Sequence, residues 1–375
     1  MSKLFDPSIE HLIEELRKQR IGKRVFAFES LIGKRIIRDG GTPIIEENSA
    51  YFIYPNEEQK NISVVGDWNK WKPGVDVLSP INSKCSLYYL KKEFPIDARL
   101  SYRFQVEGEN SFNDPMNPHS LQEVFGNNTY LQMPGYKQPE YIEEPQRGIQ
   151  RGRILKVQVR GNSDVAPREI QIYIPAGLKL RGKQRVIYLH DGAEAITIGK
   201  FTNVLDNLYY YEPHTPKIIA VFVPPIDRHG EYLMNTKFAE WFAIDLTTQV
   251  EKKLKIKSEA KMRAVQGASL GGLSAAYTGL LHSGKFGNII AQSSSFWMAD
   301  DEIVSLFSKN KLLPLRFYLH TGTINDALEG TRKMLKILQQ KGYDITYSEA
   351  NESHNWANWS GKYAEIIRWA AGISP

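Results

Sequence analysis

Apolar residues Ile9, Leu12, Ile13 and Leu16 recur at i, i+3, i+4 and i+7, and this spacing predicts an amphipathic helix reaching about Arg20. Asp6-Pro7 supplies the N-cap and first-turn proline that would start it. Beyond it the pattern shifts to short β-branched and aromatic runs at 51–54, 62–65, 87–90 and 102–106, separated by Asn, Gly, Pro and Asp. Short strands at that spacing predict a β-sandwich. Residues 134–152 are polar and carry Pro134, Pro139, Pro145 and Gly148, the composition of a linker. From Ile154 the rhythm becomes strand, loop, helix. Strands are expected at 170–174, 185–190, 218–223, 262–265, 289–292, 315–320 and 345–349, with helices such as 238–254, 273–281 and 329–341 between them. That alternation predicts a mostly parallel sheet with helices on both faces. The expected organisation is an N-terminal helix and extension over 1–48, a β-sandwich over 49–134, a linker over 135–152 and an α/β domain over 153–375.

Length agrees with this division, since 375 residues exceed one typical core. With 42% hydrophobic and 24% charged residues the chain reads as an ordinary soluble protein. No apolar run approaches the roughly 20 residues that span a bilayer, so no membrane partner is expected. The start Met-Ser-Lys-Leu-Phe-Asp-Pro lacks the features of a signal peptide, and the single cysteine, Cys85, excludes an intramolecular disulfide. A cytoplasmic protein is the expectation. The net charge of +6 suits an anionic small molecule, and a plain solvated surface suits it equally. No RNA-binding signature, zinc spacing or long block of like charge points to nucleic acid or a structural metal.

The chemistry gathers around Gln266-Gly267-Ala268-Ser269-Leu270-Gly271-Gly272, a G-x-S-x-G set between a strand and a helix. Such an elbow holds a serine hydroxyl clear of the backbone, and the following helix N-terminus favours a developing oxyanion. An acid and a histidine follow in the order Ser, Asp, His, which is the chain order of α/β-hydrolases. Ser269 is the candidate nucleophile and His354, after the strand at 345–349, the candidate base. Asp326, after the strand ending at His320, is the chosen partner of His354, with Glu329, Glu349 and Glu352 as competitors. The oxyanion donors expected are the N–H of Leu270 and one from Gly192 or Ala193, in the loop after Leu189-His190. His190 and Asp191 are expected to hold that loop through side-chain hydrogen bonds. No metal or organic cofactor is needed for this chemistry.

Four motifs in order carry a family resemblance: Leu189-His190-Asp191-Gly192, the serine elbow, Gln292-Ser293-Ser294-Ser295-Phe296-Trp297 and Ser353-His354-Asn355-Trp356-Ala357-Asn358-Trp359. Over residues 154–371 the chain resembles the putative-esterase family, and within it the enterochelin (ferric enterobactin) esterases. Upstream, Val64-Val65-Gly66-Asp67-Trp68-Asn69-Lys70-Trp71, with Asp114-Pro115-Met116-Asn117-Pro118 and Gly126-Asn127-Asn128, is similar to an early-Set immunoglobulin-like module. The resemblance implies a serine esterase acting on a small-molecule ester, an anionic catecholate siderophore in the enterochelin case. It also implies that Arg228, in Asp227-Arg228-His229-Gly230-Glu231-Tyr232, faces the substrate; a surface arginine paired with Glu231 is the plain alternative. Two departures, Ala268 in the elbow and Ile244-Asp245-Leu246 after the arginine loop, leave the substrate in doubt. Trp297 and Trp356, with Phe296 and Trp359, stand where they could wall an apolar pocket, and at least two of the four should be core. Trp68 and Trp71 read as sandwich core or domain interface, or as a stacking platform for sugar rings or a catecholate. Two rivals stay open: a feruloyl or acetyl-xylan esterase with a glycan-binding N-terminal module, and a catalytically silent binding protein on the same fold.

Overall fold

The computed structural model describes residues 7–20, 22–124 and 126–373. It divides into one unit that runs to Lys137 and takes in Asn351–Ser353, and a second formed by Gln138–Ala350 and the chain from His354 onward.

In the first unit the helix Ile9–Lys18 buries Ile9, Leu12, Ile13 and Leu16. Its N-cap is Ser8, whose hydroxyl accepts from the His11 N–H; the Asp6 expected to cap it lies outside the described residues. A second helix, Gly22–Arg38, stands where the sequence suggested only an extension. Only Val25, Ile32 and Ile36 of that helix are buried, while Phe26 and Ile37 face solvent, so its apolar stripe is weak. The strands form two antiparallel sheets. In one, Ser49–Pro55 pairs with Leu87–Glu93; in the other, Arg99–Val106 lies between Ile62–Gly66 and Gly126–Gln132. Trp68 packs its ring 4.9 Å from Phe94 and 5.6 Å from Phe52, and its N–H donates to Asp76. Trp68 thus packs among the aromatic rings of the unit.

The second unit is built on eight strands: β1 (Arg153–Val159), β2 (Arg168–Ile174), β3 (Arg185–His190), β4 (Ile218–Val223), β5 (Arg263–Ala268), β6 (Asn288–Gln292), β7 (Arg316–Gly322) and β8 (Asp344–Ala350). Their order across the sheet is 1-2-4-3-5-6-7-8. β1 and β2 run antiparallel, β2 meets β4 antiparallel, and every pair from β4 to β8 is parallel. The strand period of two divides the core. In β3, Val186 and Tyr188 enter one cluster while Ile187 and Leu189 enter the other. Helices Leu270–Leu281, Met298–Lys309 and Leu328–Lys341 cover the first face, together with a helical run from Thr236 to Leu254 that contains a π-turn at Trp241–Leu246. Helices Gly192–Thr197, Phe201–Tyr211, Trp356–Ser360 and Tyr363–Ala370 cover the second. The sheet order reverses at β3, which lies between β4 and β5, so the loops after β3 and β5 open at the point where such folds bind ligands. Among the described residues, no helix is long and apolar enough to cross a membrane.

Candidate active site

β5 is buried throughout and is followed directly by Ser269, whose backbone sits at φ 57°, ψ −124°, a region that a residue with a Cβ seldom occupies. Neighbouring backbone holds it there. The Ser269 N–H donates to Gln292 O at 2.9 Å, and Ser269 O accepts from the Ser295 N–H at 3.0 Å. The helix Leu270–Leu281 starts at the next residue and packs tightly back on the strand. A Cβ on Gly267 would lie 2.2 Å from Gly271 O, and one on Gly272 would lie 2.0 Å from Ser294 Oγ. Gly267 and Gly272 are therefore required by close approach, while a Cβ on Gly271, the second glycine of G-x-S-x-G, would meet Asp191 Oδ2 at 3.1 Å.

Three loops converge on the serine. His354 Nε2 lies 2.9 Å from Ser269 Oγ, and His354 Nδ1 lies 2.6 Å from Asp326 Oδ1. The Asp326 side chain is fully buried, whereas that of His354 is one-third exposed, at 33%. Around Asp326 the donors are dense. Oδ2 accepts from Ser293 Oγ and from the Gly322 N–H, each at 2.5 Å, and from Asn358 Nδ2 at 3.2 Å; Oδ1 also accepts from the Ala327 N–H at 2.7 Å. Burial alone would raise the Asp326 carboxyl, but the hydrogen bonds and charge interaction with His354, with help from Ser293 and Gly322, hold it below the ordinary carboxylate range. The Trp359 ring stands edge-on to His354, with centroids 5.2 Å apart.

The competing acids are engaged elsewhere or exposed. Glu349 pairs with Arg332 at 2.7 Å, Glu352 pairs with Arg99 at 3.3 Å within the first unit, and Glu329 faces solvent. Gly192 and Ala193 open the short helix after β3, as Leu270 opens the one after β5. Arg228 is bound by Asp191, Nε to Oδ1 at 2.7 Å and Nη2 to Oδ2 at 2.9 Å, and keeps 43% of its side chain exposed. Glu231, the alternative partner, is held by Arg168 instead. Trp297 is half exposed, while Phe296, Trp356 and Trp359 are buried, so Trp356 packs in the second-face core rather than standing open to a ligand.

His190 departs from its expected role. Asp191 secures the loop through Arg228, but neither ring nitrogen of His190 has a hydrogen-bond partner. The imidazole packs instead against Tyr232 and Phe242, each 4.6 Å between centroids. Sequence reasoning also passed over Ser293 and Asn358, which contact Asp326, and His320, which contacts Asn358. Ser293 and Asn358 lie inside motifs already quoted, yet a hydroxyl or amide in such a run carries no periodic signal of which carboxylate it will meet.

The buried histidines make folding acid-sensitive. Burial, with Arg228 and Arg168 nearby, pushes His190 from 6.5 down to about 3. Burial likewise pushes His320 down to about 4, against the raising pull of its hydrogen bond with Asn358. Both are neutral in the folded protein near neutrality, while the unfolded chain protonates them below about pH 6.5. Stability is therefore full above that value and falls as the pH drops from about 6.5 toward 4, because the unfolded state then binds more protons. At about pH 5 each histidine costs about 2 kcal/mol, readable as a difference between urea melts at that pH and at about pH 7.5. His190→Phe should reduce the difference by about 2 kcal/mol; a difference unchanged by that substitution would contradict the assignment.

Comparisons with known proteins agree with this architecture. The family model described as Putative esterase matches residues 165–370. The Iron(III) enterobactin esterase of Dickeya dadantii (strain 3937) is 24% identical over 179 residues, 42% of this chain, and the match spans only 41% of that relative's length. Among solved structures, the enterobactin esterase of Shigella flexneri, determined in the presence of enterobactin, superposes with a TM-score of 0.74 at 18% identity, covering 91% of this chain and 97% of its own. A ferulic acid esterase from Anaeromyces mucronatus superposes with a TM-score of 0.52 at 17% identity, covering 62% of this chain and 96% of its own. These structural likenesses establish a shared fold.

Proposed function

Because the chain belongs to the Putative esterase family, we propose that it is a serine carboxylic-ester hydrolase that works through an acyl-enzyme and acts on a catecholate siderophore of the trilactone type. The observation that carries the mechanism is the unbroken hydrogen-bonded series from Ser269 Oγ through His354 to a buried Asp326. Ser269 Oγ attacks the ester carbonyl carbon while His354 Nε2 takes its proton. Asp326 keeps the His354 proton on Nδ1 and stabilises the imidazolium. The tetrahedral oxyanion is held by the N–H of Leu270 and by that of Gly192 or Ala193. His354 then protonates the departing alkoxide, the acyl group stays on Ser269, and a water deprotonated by the same histidine releases the acid. In a trilactone the first cleavage opens the ring, so alcohol and acid remain in one molecule.

Two observations favour this substrate over a feruloylated glycan. The likeness to the Shigella enterobactin esterase takes in 91% of the chain, whereas the ferulic acid esterase covers 62% of it. Arg228, anchored by Asp191 with part of its guanidinium in solvent, can meet an anionic catecholate near the nucleophile loop. Exposed Trp297 gives an aromatic ligand of either kind a stacking face.

The test is a pair of hydrolysis rates, on ferric and iron-free enterobactin and on a short-chain aryl ester, for wild type beside Ser269→Ala. Serine-dependent cleavage with the trilactone much the faster is the expected result. Cleavage of the aryl ester alone would remove the siderophore assignment and leave the esterase. The oxyanion loop gives a second test. A Cβ on Gly192 would lie 2.3 Å from Val223 N, so Gly192→Ala must displace the loop, and kcat should fall about 10²–10³-fold. A wild-type kcat in Gly192→Ala would place the second oxyanion donor elsewhere.

A further inference from the structure

Asp326 is met from its far side by a side-chain amide, and that amide has its own support. Asn358 Nδ2 donates to Asp326 Oδ2 at 3.2 Å, and Asn358 Oδ1 lies 2.7 Å from His320 Nε2. On its other edge, His320 Nδ1 lies 3.0 Å from Ser348 Oγ and 3.2 Å from Ser348 O. His320 is fully buried, and Asn358 is 1% exposed. The two ends of an amide have nearly the same shape, so packing alone does not choose between them. The chemistry does. With the amide reversed, Oδ1 would face the carboxylate, two acceptors in contact at a buried site, and the Asn358 nitrogen would face His320.

We propose that His320 is a positioning residue of the reaction: with its proton on Nε2 it holds the Asn358 amide nitrogen toward Asp326, and so fixes the carboxylate that orients His354. Asn358 Oδ1 can only accept, which puts the His320 proton on Nε2, and Nδ1 then accepts from the Ser348 hydroxyl. The series runs Ser348, His320, Asn358, Asp326, His354, Ser269, and it crosses from β8 through β7 and the helix Trp356–Ser360 to the elbow after β5. His320 touches no reacting atom. Its effect reaches the serine only through Asn358, and that restriction makes the inference testable. It rests on the esterase reading above.

The experiment measures kcat and KM on a short-chain aryl ester for His320→Phe, His320→Gln, Asn358→Ala and the double variant His320→Phe/Asn358→Ala, with wild type and Ser269→Ala alongside. Phenylalanine fills the histidine's space without a donor, and glutamine restores an N–H. The expected result is a kcat loss of about 10–100-fold for His320→Phe with KM within about twofold, and recovery of most of it in His320→Gln. Asn358→Ala should lose a similar amount, and adding His320→Phe to it should cost nothing more. Full additivity in the double variant, a KM rise without a kcat loss, or a wild-type kcat in His320→Phe would each overturn the inference. If His320→Phe does not fold, Asn358→Ala carries the decision alone: a wild-type kcat there overturns it. If Ser269→Ala keeps the wild-type rate, the esterase reading itself falls, and that outcome is distinct from all the others.

Discussion

Replacing Ser269 by alanine is expected to lower kcat on a short-chain aryl ester by about 10⁴–10⁶-fold and to leave the fold standing. The size follows from geometry. Ser269 Oγ is the oxygen within hydrogen-bond reach of His354 Nε2, and the neighbouring Ser295 Oγ lies 3.5 Å from it. On the proposed mechanism no acyl-enzyme forms at this elbow without the hydroxyl, and only binding and oxyanion stabilisation of a water attack remain. The fold survives because the backbone at position 269 is held by Gln292 O and the Ser295 N–H, contacts that alanine retains. A thermal melt within a few degrees of wild type, beside the lost rate, is the expected pair of readings. A rate within about tenfold of wild type would remove Ser269 from the mechanism.

The second large effect is Asp326→Asn, with an expected kcat loss of about 10²–10⁴-fold. Asparagine keeps the shape but offers an N–H group in place of one carboxylate oxygen. With that N–H toward His354, Nδ1 must accept, the ring proton moves to Nε2, and the histidine faces Ser269 Oγ with a donor where a base is needed. The Ser293 hydroxyl and the Gly322 N–H, both 2.5 Å from Oδ2, favour an oxygen on their side and so drive the amide into that orientation. Glu329→Gln and Glu349→Gln are the controls, with expected rates within about twofold of wild type, since Glu329 is exposed and Glu349 is paired with Arg332. A larger loss in either control than in Asp326→Asn would assign the acid to the wrong residue.

The parts of the second unit that were legible in the sequence are those governed by strong local rules. β3 and β4 are buried along nearly their whole length and read as uninterrupted apolar runs between polar breaks. The serine elbow was legible because its glycines answer a steric demand that few other residues satisfy. Gly22–Arg38 was not legible, since only Val25, Ile32 and Ile36 mark its inner face and Gly33 interrupts it. Arg228 was legible as a candidate site residue only through resemblance; that its partner is Asp191 rather than Glu231 depends on how the loops after β3 and β4 meet, and local spacing carries no record of that. The same holds for His320 and Asn358. Each sits on an element that periodicity locates, but the bond between them spans 38 positions and forms only when β7 and the helix after His354 pack together.

The most direct measurement of the central claim is labelling with a fluorophosphonate ester, followed by peptide mapping and a parallel assay of residual activity. The expected result is one phosphonyl group per chain, on Ser269, with hydrolytic activity lost in proportion to labelling and no labelling of Ser269→Ala. Labelling at another residue, or full activity in a chain phosphonylated at Ser269, would contradict an acyl-enzyme mechanism at this site.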